Sequence, residues 1–122
     1  MTIKVVRLGS PRAKGEGPRL GTVRRPPRGV KKSDYARLGY YDLWLPELSP
    51  SAALIKTAHR DWNKFERRYR HEMRDQEHLL AVLALLSHTA SFAVGCYCED
   101  ESRCHRSILR ALLSDHGARI TE

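Results

Sequence analysis

Residues 91–113 read SFAVGCYCEDESRCHRSILRALL, and no other stretch narrows the choice of fold so far. Phe92, Val94, Cys96 and Cys98 recur at period two with only Ala, Gly and Tyr between them, which predicts a short buried strand over 91–98. Side chains alternate across a strand, so Cys96 and Cys98 are expected on one face. Glu99, Asp100, Glu101, Ser102 and Arg103 then predict a polar turn. From Cys104 the period becomes helical: Ile108, Leu109, Leu112 and Leu113 form one apolar stripe, and Gly117 stands where such a helix stops. Cys104, His105, Arg106 and Ser107 are therefore expected in the first turn of a helix that follows a strand.

That position carries chemistry. The first N–H groups of a helix lack intrahelical acceptors, and the macrodipole adds partial positive charge there. Anions and thiolates are stabilised at such a place. Arg106 brings a fork of donors suited to phosphate, Ser107 a hydroxyl, and His105 a group that exchanges protons near neutral pH. Open α/β sheets also place their ligands where a strand end feeds a helix.

The rest of the chain supplies partners for this unit. Ile3 to Leu8 reads as a strand and a first central one, by its β-branched content. Residues 9–18 are rich in Gly, Pro and Arg and predict a flexible loop. A second short strand over 20–24 ends at Pro26 and Pro27. Leu43 to Leu45 predicts an edge strand, after which Ser49 is expected to cap a helix with Pro50 at its first position, running to about His59. Asp61 caps the next, whose apolar stripe is Trp62, Phe65, Tyr69 and Met73. The apolar run over 79–86 predicts a buried helix, and Arg119 and Ile120 a last short strand or a loose tail. The aromatic cluster Tyr35, Tyr40, Tyr41 and Trp44 is expected to close the core, with stacking on a base or ring as the alternative. His71 and His78 are expected on the surface. Strand, loop, strand, helices, strand, helix describes one small three-layer α/β domain over 1–122, with a mostly parallel sheet flanked by helices.

Charge is unevenly placed. Residues 1–37 carry a net +9 and residues 38–122 a net −1, so all of the excess lies in the first third. Arg24, Arg25, Arg28, Lys31 and Lys32 crowd around the proline break, on irregular backbone where binding residues are commonly presented. They are candidate anion ligands on the wall opposite Arg106, and the partners this implies are a phosphate-bearing small molecule or nucleic acid; a solvated basic surface is the plainer alternative. No apolar run approaches the ~20 residues of a membrane span, and no signal-peptide core follows Met1. With three cysteines, an odd number, a reducing cytoplasmic address is expected.

The cysteine site admits three readings. Cys104 or Cys96 is a catalytic thiolate, with His105 as acid/base and Arg106 on an anionic substrate; against this, Glu99, Asp100 and Glu101 in the same loop would raise a thiol pKa. Alternatively Cys96, Cys98, Cys104 and His105 hold zinc, although Cys-x-Cys is not the common knuckle spacing, and adjacent Cys104 and His105 would point about 100° apart on a helix. In the third reading the thiols are small buried hydrophobes. Counted from Cys98 there is no Cys-x5-Arg phosphatase loop, because the sixth residue on is Cys104.

On Cys96, the acidic loop, Cys104-His105-Arg106-Ser107 and the leucine-rich helix, the chain resembles the domain of unknown function 488 family and its YeaO-like relatives. Arg24-Arg25-Pro26-Pro27-Arg28-Gly29-Val30-Lys31-Lys32 is similar to the family's basic, proline-bearing block, and 41–51 to its aromatic-acidic segment before a capped helix. The resemblance covers most of the chain and implies Rossmann-like layering; Cys98 stands where many relatives carry an acid. The expectation is an enzyme using thiol and imidazole on a phosphate-bearing substrate, with no cofactor. The alternative is a non-catalytic nucleic-acid or anion-binding module with structural or zinc-bound cysteines.

Overall fold

All five residues of one strand, Phe92–Cys96, are buried, and that strand lies inside the sheet. The computed structural model describes residues 1–58 and 60–121. In chain order the strands are β1 (Ile3–Arg7), β2 (Arg19–Gly21), β3 (Leu43–Trp44) and β4 (Phe92–Cys96), and their spatial order is β1-β4-β2-β3. Every pairing is parallel: Ile3 stands against Phe92, Leu20 against Val94 and against Leu43. Parallel strands covered on both faces lose the polar alternation of a solvated sheet, which is why β4 reads as uninterrupted small and apolar residues. This is an α/β fold of Rossmann-like layering.

Two cores lie on the two faces. On one, Ile3, Phe92 and Val94 meet the helices α2 (Trp62–Glu72), α3 (Glu77–Leu86) and α4 (His105–Asp115), through Phe65, Tyr69, Leu80, Leu83, Ile108, Leu109 and Leu113. On the other, Val6, Leu8 and Ala93 meet Val23 and Tyr41, with Tyr35, Tyr40 and Tyr97 packed around them. This second outer layer is loop and a single 3-10 turn (Lys32–Asp34). Tyr35 packs edge-on against Tyr41 and Tyr40 against Tyr97, so the three expected tyrosines close the core, whereas Trp44 is exposed, its ring N–H donating to Val23 O.

The loop layer is held by an ion pair inside the protein. Arg19 is wholly buried, and its Nε donates to Glu16 Oε2 at 2.6 Å. Its two terminal nitrogens donate to the carbonyls of Ser10, Pro11 and Gly39. Residues 9–18, expected to be flexible, are thus fastened from within.

Several expectations need correction. β1 flanks β4 and is not a central strand; on its outer side Ile3 N donates to Arg119 O and Ile3 O accepts from Thr121 N, a short parallel bridge to Ile120 that tethers the C-terminal segment. The helix expected from Ser49 and Pro50 begins later: Ser51 is the N-cap of α1 (Ala52–Ile55), its side chain accepting from Leu54 N. Ser49 instead donates to the carbonyls of Pro46 and Pro50, so its hydroxyl is spent within the preceding turn. That helix closes at Ile55, and its expected end at His59 lies outside the described residues. Asp61 does cap α2, accepting from Lys64 N at 3.1 Å. The helix over 79–86 is buried only through Leu80, Leu83 and Ala84, whereas Val82, Leu85 and Leu86 face outward. No helix of the described residues is long and apolar enough to cross a membrane.

Burial alone would raise the Glu16 carboxyl; hydrogen bonds from Arg19 and the Ala13 N–H, with the Arg19 charge, outweigh it and hold the group below its usual range. A carboxyl lowered on folding stabilises the protein above its unfolded value and loses that contribution as pH falls through the folded one. Urea titrations should therefore show stability dropping below about pH 4.3, with the Glu16-dependent part gone at the acid end. Glu16→Ala leaves Arg19 uncompensated and should cost about 3–5 kcal/mol at neutral pH. Leu85→Ser, on the exposed face, should cost about 0.5 kcal/mol or less.

Candidate functional site

The site is built where β4 ends. The strand stops at Cys96, so Tyr97 and Cys98 already leave the sheet, a shorter run than the expected 91–98. A 3-10 turn (Glu101–Arg103) follows, and the chain enters α4 through Cys104. Cys104 is the N-cap, in extended backbone (φ −124, ψ 150), and not in the first helical turn. This removes the geometric objection to a Cys104–His105 pair. One residue is extended and the next helical, so the two side chains turn toward each other: Cys104 Sγ stands 3.7 Å from His105 Nδ1.

The imidazole is fixed on its other side. His105 Nε2 lies 2.8 Å from the carbonyl of Thr22 and 3.1 Å from Thr22 Oγ1. A carbonyl only accepts, so Nε2 carries the proton and Nδ1 presents its lone pair to Cys104. Thr22 is itself pinned beside β4, its N–H and hydroxyl both donating to Gly95 O. The His105 ring packs edge-on against Tyr69 at 5.5 Å, at the end of a stack that runs through Phe65 to Trp62. Thiol, imidazole and carbonyl stand in the order that a nucleophile, its base and an orienter would need.

All three cysteines are free and close together. Cys96 Sγ and Cys98 Sγ are 3.8 Å apart. The ligand atoms of Cys96, Cys104 and His105 all lie within 4.8 Å of one another and could hold a metal ion. The thiols share protons unequally. Hydrogen bonds from Cys104 and Cys96, and the charge of Arg106, hold the exposed Cys98 thiol well below its ordinary value. Cys104 is lowered by its contact with Cys96 and by His105. Cys96 is pushed up by its bonds to Cys104 and Cys98, and by burial, so it remains a neutral donor.

The acidic loop does not oppose this. Asp100 accepts from Ser102 N and Oγ, Glu101 pairs with Arg110 at 2.9 Å, and Glu99 reaches Arg7. Each carboxylate is engaged away from the thiols, which overturns the expectation that they would raise a thiol pKa.

A cleft of about 410 Å³ opens onto the thiols. Cys96, Cys98, Cys104 and His105 line it together with Arg24, Arg25, Lys56 and Arg103, and among the described residues no carboxylate does. Among the described residues none of these four cations is in an ion pair. Arg24 donates to the carbonyls of Ser49 and Pro50, which holds it at the cleft wall.

Other candidates stand elsewhere. Arg106 is buried, donates through Nη2 to Cys98 O at 2.6 Å, and does not line the cleft; among the described residues its Nε has no partner. Ser107 Oγ donates to Cys104 O. Both hold the loop that carries the thiols. Arg28 lies in a neighbouring cavity, and Lys31 and Lys32 are exposed and line neither. Sequence reasoning missed Lys56 and Arg103, and it missed Thr22, whose contribution is a backbone carbonyl that side-chain chemistry does not advertise.

A family model described as the active DUF488-N3 subclade (DUF488-N3a) matches residues 3–117. No curated protein and no solved structure matches the chain.

Thiolates held below the ordinary thiol pKa of about 8.5 keep reacting at acidic pH. Alkylation of Cys98 by iodoacetamide, followed by mass spectrometry, should be nearly flat from about pH 8 to 6. An ordinary thiol would slow about tenfold per pH unit below ~8. Cys96 should be the slowest of the three.

Proposed function

We propose that this chain, which belongs to the DUF488 family, is a thiol–imidazole enzyme acting on a phosphate-bearing substrate. The observation that carries the reading is the cleft: the Cys104–His105 pair lies at a cavity whose charged lining is entirely cationic. A structural cysteine cluster has no need of such a surround, whereas a phosphorylated ligand does. In this reading Arg24, Arg25, Lys56 and Arg103 hold the phosphate. Cys104 is the nucleophile, His105 takes its proton through Nδ1 and returns it to the leaving group, and Thr22 O keeps the ring in the required tautomer. Cys96, as a neutral donor, stabilises the neighbouring thiolates, and Arg106 and Ser107 position the loop. The family model's description as an active subclade is in keeping with catalysis. A cytoplasmic address belongs to the same proposal, since free thiols need a reducing compartment.

One observation favours a second reading. Two sulfurs on a tetrahedral zinc stand about 3.8 Å apart, which is the Cys96–Cys98 separation. Cys96, Cys104 and His105 have ligand atoms within 4.8 Å of one another, Cys98 would close in as the fourth ligand, and Nε2–H on the Thr22 carbonyl gives the outer support of a Cys3His site. The protein is then a binding module with zinc-bound cysteines.

Phosphomonoesters, mononucleotides and oligonucleotides incubated with the purified protein and resolved by chromatography test the choice. Turnover should fall by about 10²–10⁴-fold in His105→Gln, and at least as far in Cys104→Ser, with thermal unfolding little changed. Full turnover in Cys104→Ser would sink the catalytic reading. Stoichiometric zinc by elemental analysis, with thiols that react only after chelation, would establish the second.

A further inference from the structure

A second cavity, of about 420 Å³, adjoins the cleft, and the thiol–imidazole chemistry makes no use of it. It is lined by Arg7, Arg25 and Arg28 together with the rings of Tyr40 and Tyr97. Arg25 and Tyr97 line both cavities, so they stand between them. This partition is held in place. Tyr97 Oη donates to Arg25 O at 2.9 Å, and the Tyr97 ring meets Tyr40 edge-on at 6.3 Å. Pro26 and Pro27 stiffen the backbone that presents Arg25 and Arg28. Arg7 spends part of its charge on Glu99 at 3.5 Å, a solvent-exposed contact of small worth. Among the described residues Arg25 and Arg28 are in no ion pair.

Cations beside partly accessible aromatic rings match one kind of ligand: a phosphate chain whose bases are free to stack. A mononucleotide held in the cleft would leave the second cavity empty. A duplex hides its base faces from the tyrosines. We infer that the second cavity is a subsite for the nucleotide adjoining the one in the cleft, so that the substrate is an unpaired strand of nucleic acid. Arg25 lies on the phosphate that joins the two nucleotides, Arg7 and Arg28 take the next phosphate, and Tyr40 and Tyr97 receive the neighbouring base. Lys31 and Lys32, both exposed, follow in the chain and extend the cationic track. This rests on the reading of the cleft as a phosphate-binding active site.

Fluorescence anisotropy of labelled oligothymidylate and oligouridylate of about 12 nucleotides, with the full chain, tests it. Binding should weaken steeply with salt. Arg28→Ala should weaken it about tenfold and flatten the log–log salt slope by about 0.7. Tyr40→Leu should cost about tenfold and Tyr40→Phe almost nothing. Cys104→Ser should bind as the parent does. Thymidine monophosphate and a duplex should each displace the probe about 100-fold less well than the unlabelled strand. Equal displacement by the mononucleotide, or parental binding by folded Arg28→Ala and Tyr40→Leu proteins, would overturn the subsite. Cys104-dependent turnover of mononucleotides, indifferent to Arg28→Ala, would overturn it while leaving the catalytic reading intact. Arg28-dependent strand binding with turnover indifferent to Cys104→Ser would support the subsite and sink that reading.

Discussion

Arg19 is the point on which the second face of the sheet depends. A guanidinium with no solvent contact is costly unless its donors are met, and here Glu16 and three backbone carbonyls meet them. Those acceptors belong to segments on either side of β2, so one side chain draws residues 9–18 and Gly39 onto the sheet. Gly39 has φ +80 and lies against Ser10 O and the Arg19 guanidinium, where a Cβ would stand 2.9 Å from that oxygen. The tyrosine layer follows from this anchoring. So does the basic loop 24–32, whose Arg25 carbonyl accepts from Tyr97 Oη.

The same strand roots the chemistry. Three residues beyond Arg19, Thr22 offers the carbonyl that fixes His105, and Gly95 O on β4 holds Thr22 in turn. Gly21 and Gly95, paired across β2 and β4, have no room for a side chain: a Cβ would stand 2.4 Å from the Tyr41 ring and 2.6 Å from Leu8. The imidazole is therefore set by strand pairing, the most rigid feature of the fold. The thiols come from the end of β4 and the cap of α4. The thiol–imidazole pair sits at the start of α4, where the Tyr69 ring of α2 packs against His105.

Much of this was legible in the sequence where a local rule acts alone. Period-two apolar residues located β4, the leucine stripe located α4, and Gly117 ends that helix with φ +89. The sequence pattern brought Cys96, Cys98, Cys104 and His105 to one site, and the cleft lining does the same. What was not legible depends on what a side chain faces. Arg19 counts as one more cation in a basic segment, yet it is internal. Arg106 looks like an anion ligand, yet its donor is turned to Cys98 O. Ser49 and Ser51 both satisfy a capping rule, and only the preceding turn decides between them. Leu85 continues an apolar run and is 71% exposed, because among the described residues nothing covers that face of α3. The acids of the loop were weighed as neighbours of the thiols, whereas salt bridges to Arg7 and Arg110 turn Glu99 and Glu101 away.

The central claim is that Cys104 and His105 act as one proton-sharing unit oriented by Thr22. Nitrogen NMR of the His105 ring, with carbon NMR of Cys104 Cβ on the same sample across pH, reads it most directly. The account predicts that Nε2 stays protonated throughout, with Nδ1 accepting from Cys104 and its resonance displaced in Cys104→Ala. A neutral ring protonated on Nδ1, an Nδ1 resonance unchanged without Cys104, or the spectrum of a metal-bound nitrogen would contradict it.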